Sequence, residues 1–262
     1  MKKYLFLFIL AGFVFSCTKK HEEVVPPYQL NAYNPYFMIY YKYSGVILDT
    51  DKIKLEYYPD AKLKKRVGDI VDLPVPPYPY SHGFIGDIID TFTYTDNMIR
   101  VHRVNRGASN GLNHDIFTRT YYMENGRVVK MVMQTPDRGY FDDSTFYFYN
   151  SKGLLDSTVC LGRFKTLTKK YYFDSNGNLE KVLGNYHSYY LTEEHFSGYD
   201  NSDNPLKALI GLEEMFYRSL SRNNFTFYSM KKIDTDKSPS YYTEMQWDLQ
   251  YDGNNLPIFL LN

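Results

Sequence analysis

Glu193, Glu194 and His195, with His187 a short distance upstream, form the densest group of potential metal ligands or acid–base residues in the sequence. On a strand, Glu193 and His195 share a face. That supplies two ligands where a zinc site needs four. His21, His82, His102 and His114 have no ligand neighbour at helical zinc-binding spacing. Asp174-Ser175-Asn176-Gly177 and Asp200-Asn201-Ser202-Asp203-Asn204 look superficially like calcium loops but lack the spaced ligands and the closing Glu. Nucleophilic chemistry leaves no trace: there is no Gly-x-Ser-x-Gly elbow, and Cys160 has no His assigned to it. The adjacent acids Asp142-Asp143 and Glu213-Glu214 would face opposite ways on a strand, so neither is a natural acid/base couple. No phosphate loop or dinucleotide fingerprint is present. The sequence therefore predicts a non-enzymatic protein with no metal and no cofactor.

The acidic and amide residues have another use. Asp174-Ser175-Asn176-Gly177 lies between Tyr171-Tyr172-Phe173 and Leu179, and the same plan recurs in Tyr121-Tyr122-Met123-Glu124-Asn125-Gly126 and Tyr147-Phe148-Tyr149-Asn150-Ser151-Lys152-Gly153. Degenerate copies start at Tyr94, Tyr199, Tyr228 and Tyr251, with an earlier one near Tyr57. The interval is about 26 residues, a spacing at which a repeat architecture is considered first. Asn-Gly supplies the positive φ of a hairpin turn. The Asp or Asn at the strand exit can bond the turn backbone. Each copy is one hairpin, so the chain predicts an all-β antiparallel meander of 14–16 strands. An open sheet that wide curls, giving a barrel-like or half-barrel shape with aromatic residues filling one face. The 28 Tyr and 18 Phe suit strands and exclude disorder.

Two segments break the pattern. Asn204 is a good N-cap, Pro205 fits the first helical position, and Leu206, Leu209, Ile210, Phe216, Tyr217 and Leu220 give a helical stripe. This predicts one short helix near 205–220, capping or plugging the curled sheet, with Gly211 weakening it. Asp72 to Tyr80 holds four prolines and is expected to be an inserted loop. Such a loop displays Tyr78 and Tyr80 outward, which makes them the candidate ligand-binding residues.

The N-terminus bears on location. Lys2 and Lys3 precede an apolar run from Leu5 to Phe15, too short for a transmembrane helix. The run ends in Val14-Phe15-Ser16-Cys17, which resembles the lipobox of bacterial lipoproteins. That resemblance implies a signal peptide at 1–16 and lipidation at Cys17, with several acyl chains holding the protein to a membrane. Residues 17–35, charged and then Pro-stiffened, are expected to be a tether, and 36–262 a single β-repeat domain. Lys19-Lys20-His21-Glu22-Glu23 resembles the surface-export signal of Bacteroidetes-type lipoproteins, implying the exterior face of the outer membrane, with the periplasmic face as the alternative. Without residues 1–16 the chain has 28 basic and 30 acidic residues, a balance that gives no electrostatic case for nucleic acid. With Cys17 acylated, Cys160 has no disulfide partner.

The Tyr-x-Tyr-Asp style of repeat is similar to the YD-type repeats of bacterial secreted and cell-surface proteins. Combined with Tyr199-Asp200-Asn201-Ser202-Asp203-Asn204-Pro205-Leu206 before a helix and the terminal Tyr251-Asp252-Gly253-Asn254-Asn255-Leu256-Pro257, the chain resembles Bacteroidetes-type surface lipoproteins of unknown function. The resemblance implies a porin-like or YD-repeat-like β fold and brings no catalytic residues with it. The expected role is a surface module that binds a ligand, glycan or protein. The alternatives are an accessory subunit of an outer-membrane assembly, a glycan-active hydrolase and an integral membrane barrel.

Overall fold

The computed structural model describes residues 29–39, 48, 50–75, 78–107, 114–136, 143–162, 166–186, 190–234 and 239–260. Cys17 and the segment 1–28 lie outside the described residues, as does His187.

Fourteen strands form one antiparallel sheet in which sequence order is spatial order. They are β1 (Ala32–Tyr33), β2 (Ile53–Tyr57), β3 (Leu63–Val75), β4 (Tyr78–Thr95), β5 (Met98–Asn105), β6 (His114–Glu124) and β7 (Arg127–Gln134), followed by β8 (Asp143–Tyr149), β9 (Leu155–Leu161), β10 (Thr166–Phe173), β11 (Leu179–Tyr186), β12 (Tyr190–Ser197), β13 (Phe227–Asp234) and β14 (Pro239–Gln246). A separate two-stranded ladder joins β15 (Gln250–Tyr251) to β16 (Pro257–Ile258). Among the described residues the first and last strands of the large sheet do not pair, so it is a half-barrel, one of the two shapes expected of a sheet this wide.

The hairpin turns show why the repeat exists. Asp174 N–H donates to the Asn178 carbonyl at 2.9 Å, and Asp174 Oδ1 accepts from the backbone N–H of Asn176 (2.8 Å) and Asn178 (2.9 Å). Asn150 makes the same set with Leu154 and Lys152, and Asp252 with Leu256 and Asn254. One side-chain oxygen thus satisfies two turn donors that the strands cannot reach. Gly177 closes its turn at φ +84°, which a side chain would resist.

The same bonds root the helical segment. Asp200 N–H donates to the Asn224 carbonyl at 3.1 Å, and Asp200 Oδ1 accepts from the Asn224 N–H at 2.9 Å and the Ser202 N–H at 3.3 Å. Asn224 stands to Asp200 as Asn178 stands to Asp174. The segment 201–223 is therefore a hairpin turn enlarged until it reaches back over the concave face. It consists of a 3-10 turn at Pro205–Leu209, a second at Glu213–Met215, and α1 (Phe216–Leu220). Asn204 caps it as expected, accepting from Leu206 N–H at 2.9 Å while its amide donates to the carbonyls of Arg218 and Ser221. The single helix predicted here is broken at Gly211, where a Cβ would lie 3.3 Å from the Phe92 ring.

Two boundaries are corrected. Asp72 to Tyr80 is not an inserted loop: Leu73 pairs with Ser81 and Val75 with Tyr78, so the segment is the far end of the long β3–β4 hairpin. Pro74 is tolerated because it falls at a register shift. The sheet also begins before residue 36, since β1 pairs with β2 and Leu30, Tyr33 and Asn34 are buried.

Side chains join the two ends of the meander. Trp247 Nε1 donates to the Tyr36 carbonyl at 2.7 Å, Asn34 N–H donates to the Phe259 carbonyl at 2.7 Å, and Phe37 packs edge-on against Phe259. At the centre lies Arg218, wholly buried, 4.1 Å from the Phe225 ring and 4.5 Å from Trp247. It donates to the carbonyls of Phe37 (2.9 Å) and Phe225 (3.0 Å).

Asp174→Ala and Asp200→Ala remove equivalent turn bonds, but Asp200 also accepts from Tyr251 Oη (2.9 Å) and the Asn224 amide. In urea unfolding, Asp174→Ala is expected to cost about 1 kcal/mol and Asp200→Ala about 2–3 kcal/mol.

Candidate functional site

The concave face is where an active site or channel would sit, and strand register sets what points into it. Arg66 on β3, Asp90 on β4, Arg103 on β5 and Arg119 on β6 all turn inward, and Glu213 and Glu214 come down from the enlarged turn. Asp69 bridges Arg66 (2.5 Å) and Arg103 (2.7 Å). Asp90 takes a two-pronged pair of bonds from Arg103 at 2.7 and 2.8 Å and lies 3.4 Å from Arg66. Glu214 pairs with Arg66 and accepts from Tyr33 Oη at 3.0 Å, while Glu213 pairs with Arg119. Phe117 lies between two of these cations, 4.7 Å from Arg103 and 4.2 Å from Arg119.

The cluster as a whole sets four carboxyls, those of Asp69, Asp90, Glu213 and Glu214, against the three guanidiniums of Arg66, Arg103 and Arg119, an excess of one acid. The excess falls on Glu214. Burial raises its pKa, helped by Asp69 and Asp90 and opposed by Arg66. Asp90 is shifted the other way: Arg66 and Arg103 hold it below the usual carboxylate range against the effect of its burial. Arg119 likewise holds Glu213 low.

A second anchor lies further round the sheet. Buried Glu194 on β12 accepts from Tyr217 Oη and Tyr228 Oη, both at 2.8 Å, and Lys169 Nζ donates to Tyr217 Oη at 2.5 Å. Each of these acids is engaged by a cation or a phenol that faces it. The arrangement fixes the enlarged turn against the sheet, with Glu214 and Glu194 buried and the Glu213 carboxyl reaching solvent.

Arg218 differs in having no carboxylate beside it among the described residues. Burial brings its pKa down to about 9, and its charge rests on two carbonyls and a wall of aromatic rings.

The residues singled out from sequence are scattered. Glu193 and His195 do share a face and lie 3.1 Å apart, but on the outer surface, and no cluster of three metal-ligating groups exists among the described residues. Glu213 and Glu214 diverge to different arginines. Cys160 is a free, half-buried thiol. Tyr78 and Tyr80 sit on β4, and their side chains lie outside the described residues. Asp142 is also outside them. A cleft of ≈ 410 Å³ opens beside Thr50, Lys52, Lys54, Val67 and Phe84.

The sequence reasoning missed the arginines. Arg66, Arg103 and Arg119 stand in ordinary strand contexts, and the only local signal is a charge at a position where the alternation calls for an apolar residue.

No known protein-family profile matches the chain, and no curated protein matches it. Among solved structures, a porin-like protein from Bacteroides vulgatus is similar at a TM-score of 0.51 and 15% identity, covering 80% of this chain and 87% of that one. A second porin-like protein, from Bacteroides uniformis, aligns at a TM-score of 0.48 and 10% identity, covering 80% of this chain and 84% of that one. The chain has a porin-like β fold. The first likeness shows that architecture, in agreement with the expected meander.

Three substitutions test the interior. Asp90→Asn takes the two-pronged carboxylate from Arg103 and leaves it Asp69 alone, and is expected to cost about 3 kcal/mol at pH 7. A carboxyl held low contributes stability above its unfolded pKa of about 4 that is lost as pH falls through the lowered folded value, so this cost shrinks in acid. Glu214, held high, contributes in the opposite sense: its stability is present below about pH 4.5 and lost as pH rises. Glu214→Gln should therefore match wild type near pH 4 in urea titrations and gain on it toward neutrality. Arg218→Lys cannot reach both carbonyls and rings at once, and about 2–3 kcal/mol should be lost.

Proposed function

We propose that this protein is a lipid-anchored component of the outer-membrane surface that acts by binding rather than by catalysis. The observation that carries this is the enlarged turn. It occupies the concave face with buried side chains and commits the acids there to ion pairs, so that outer surfaces and rims remain for contact with other molecules.

Location is supported by the lipobox at Val14-Phe15-Ser16-Cys17 and by the fold shared with a Bacteroides protein described as porin-like. An integral barrel is disfavoured. Such barrels close their strands and turn a tall apolar band outward. Here the outer face of β7–β13 carries Lys130, Lys170, Lys181, Glu193 and Lys231.

A role in an assembly is favoured by one feature. β14 is an eight-residue strand at the edge of the large sheet, with no further strand beyond it among the described residues. Such an edge can accept a strand from a partner.

Cys17→Ala should abolish incorporation of labelled fatty acid and release the protein from membranes. Protease added to whole cells should degrade the wild-type protein, and full protection would place it on the inner side. Glycan arrays and pull-downs from envelope extracts then separate the binding roles. Capture of a glycan supports the module, whereas a stoichiometric protein partner lost on replacing β14 residues supports the assembly.

A further inference from the structure

We infer that the outer face of β6–β11 is a docking surface for an anionic lipid bilayer, the membrane to which the proposed anchor would hold the chain. This inference rests on the lipid-anchor reading for the closeness of the membrane, but the surface itself is read from the sheet.

Register places Tyr122, Phe146, Phe148, Val159 and Leu161 together on the face turned away from the core. Tyr122 pairs with Lys130, Lys130 with Phe146, and Phe146 with Val159, while Phe148 and Leu161 flank that last pair. Phe148 is 50% exposed, Leu161 45% and Tyr122 43%. On the next two strands, β10 and β11, Tyr172 and Leu183 are also exposed on the same face. Isolated apolar residues on a surface need no explanation, but here several adjoin across neighbouring strands.

The charges among them are mostly basic. Lys130 lies 5.4 Å from the Phe146 ring centroid, and Lys181 lies 4.8 Å from that of Tyr172. Neither has an acidic partner among the described residues. Of the nearby acids, Asp156 is engaged by Lys170 at 2.6 Å and Glu193 by His195 at 3.1 Å, while exposed Glu180 stands beside Lys181 at the start of β11.

Protruding Phe and Leu, Tyr able to sit at headgroup depth, and lysines whose stems lie along the rings together suit an anionic membrane interface. Exposed aliphatic side chains favour lipid over sugar, because a sugar ring stacks on flat aromatic faces and gains little from Leu161 or Leu183.

The tether gives the surface its opportunity. From Cys17 to Gln29 the chain can span at most about 40 Å. An anchored domain therefore stays at high local concentration above the bilayer, where weak affinity suffices.

The test uses the full mature chain bearing Cys17→Ser, so that no acyl chain contributes. It is mixed with vesicles of phosphatidylcholine alone or with phosphatidylglycerol added, and sedimented. Partitioning should be about tenfold stronger on the anionic vesicles and should weaken with salt. Phe148→Ser combined with Leu161→Ser should cut it about tenfold. Both sites are exposed, so the melting temperature reports whether the fold is intact. Lys130→Glu with Lys181→Glu should erase the preference for anionic lipid. Absence of partitioning, or partitioning unmoved by both double variants, overturns the inference. Binding to a soluble acidic polysaccharide but not to vesicles, lost in the same variants, also overturns it and makes the patch a glycan site. Fatty-acid labelling of the wild-type chain is read separately, so a failed anchor and a failed surface give different results.

Discussion

A sheet of fourteen strands that curls without closing leaves a concave face too large for its own side chains to fill, and an unfilled face would leave apolar surface wet. This chain fills it with backbone, and backbone at a turn brings polar groups and charge into the interior. The carboxylates of Asp69 and Asp90 around Arg66 are what make that burial tolerable, with Glu214 adding a bond from the turn. An isolated carboxylate or guanidinium there would be severely penalised. Once Arg66 is buried, Asp69 and Asp90 are needed to surround it, and Arg103 is needed to balance them. The interior cluster is thus a chain of mutual requirements that begins with the burial of Arg66.

Much of the architecture could be read from the residues because turns obey local rules. Asp174, Asn150 and Asp252 bond their own turns through short-range geometry that is written within five residues, and the meander follows from repeating it. The cap at Asn204 was legible for the same reason. The interior was not. Arg66 and Glu214 are 148 positions apart, and nothing local to either marks the other as a partner. The prolines of Asp72 to Tyr80 suggest a loop because sheets need backbone donors, yet a register shift and a position at the far end of a hairpin relieve that need. The last residues of the assumed tether belong to the sheet because Tyr33 reaches Glu214, again a contact made across the whole fold.

The likeness to a porin-like Bacteroides structure concerns the path of the strands. In this chain a turn crosses the concave face, and the edges of the meander meet through Trp247, Tyr36 and Phe259 rather than through a closing ladder. Arg218 makes that seam dependent on the turn, because it projects from α1 and bonds Phe37 near the start of the described chain. The plug and the closure are one structure.

The enlarged turn also divides the molecule in time. Each strand of the large sheet pairs with its sequence neighbours, so hairpins can assemble by short-range contacts, and such contacts form quickly. The ties from Glu214 to Arg66 and Tyr33, and from Arg218 to Phe37, close loops of well over a hundred residues and add their stabilisation only after the sheet has curved. Interactions made after the rate-limiting step govern how fast a protein opens rather than how fast it forms. The turn that fills this half-barrel would then act as a late-fitting latch, setting the lifetime of the folded state while the repeats set the speed of reaching it.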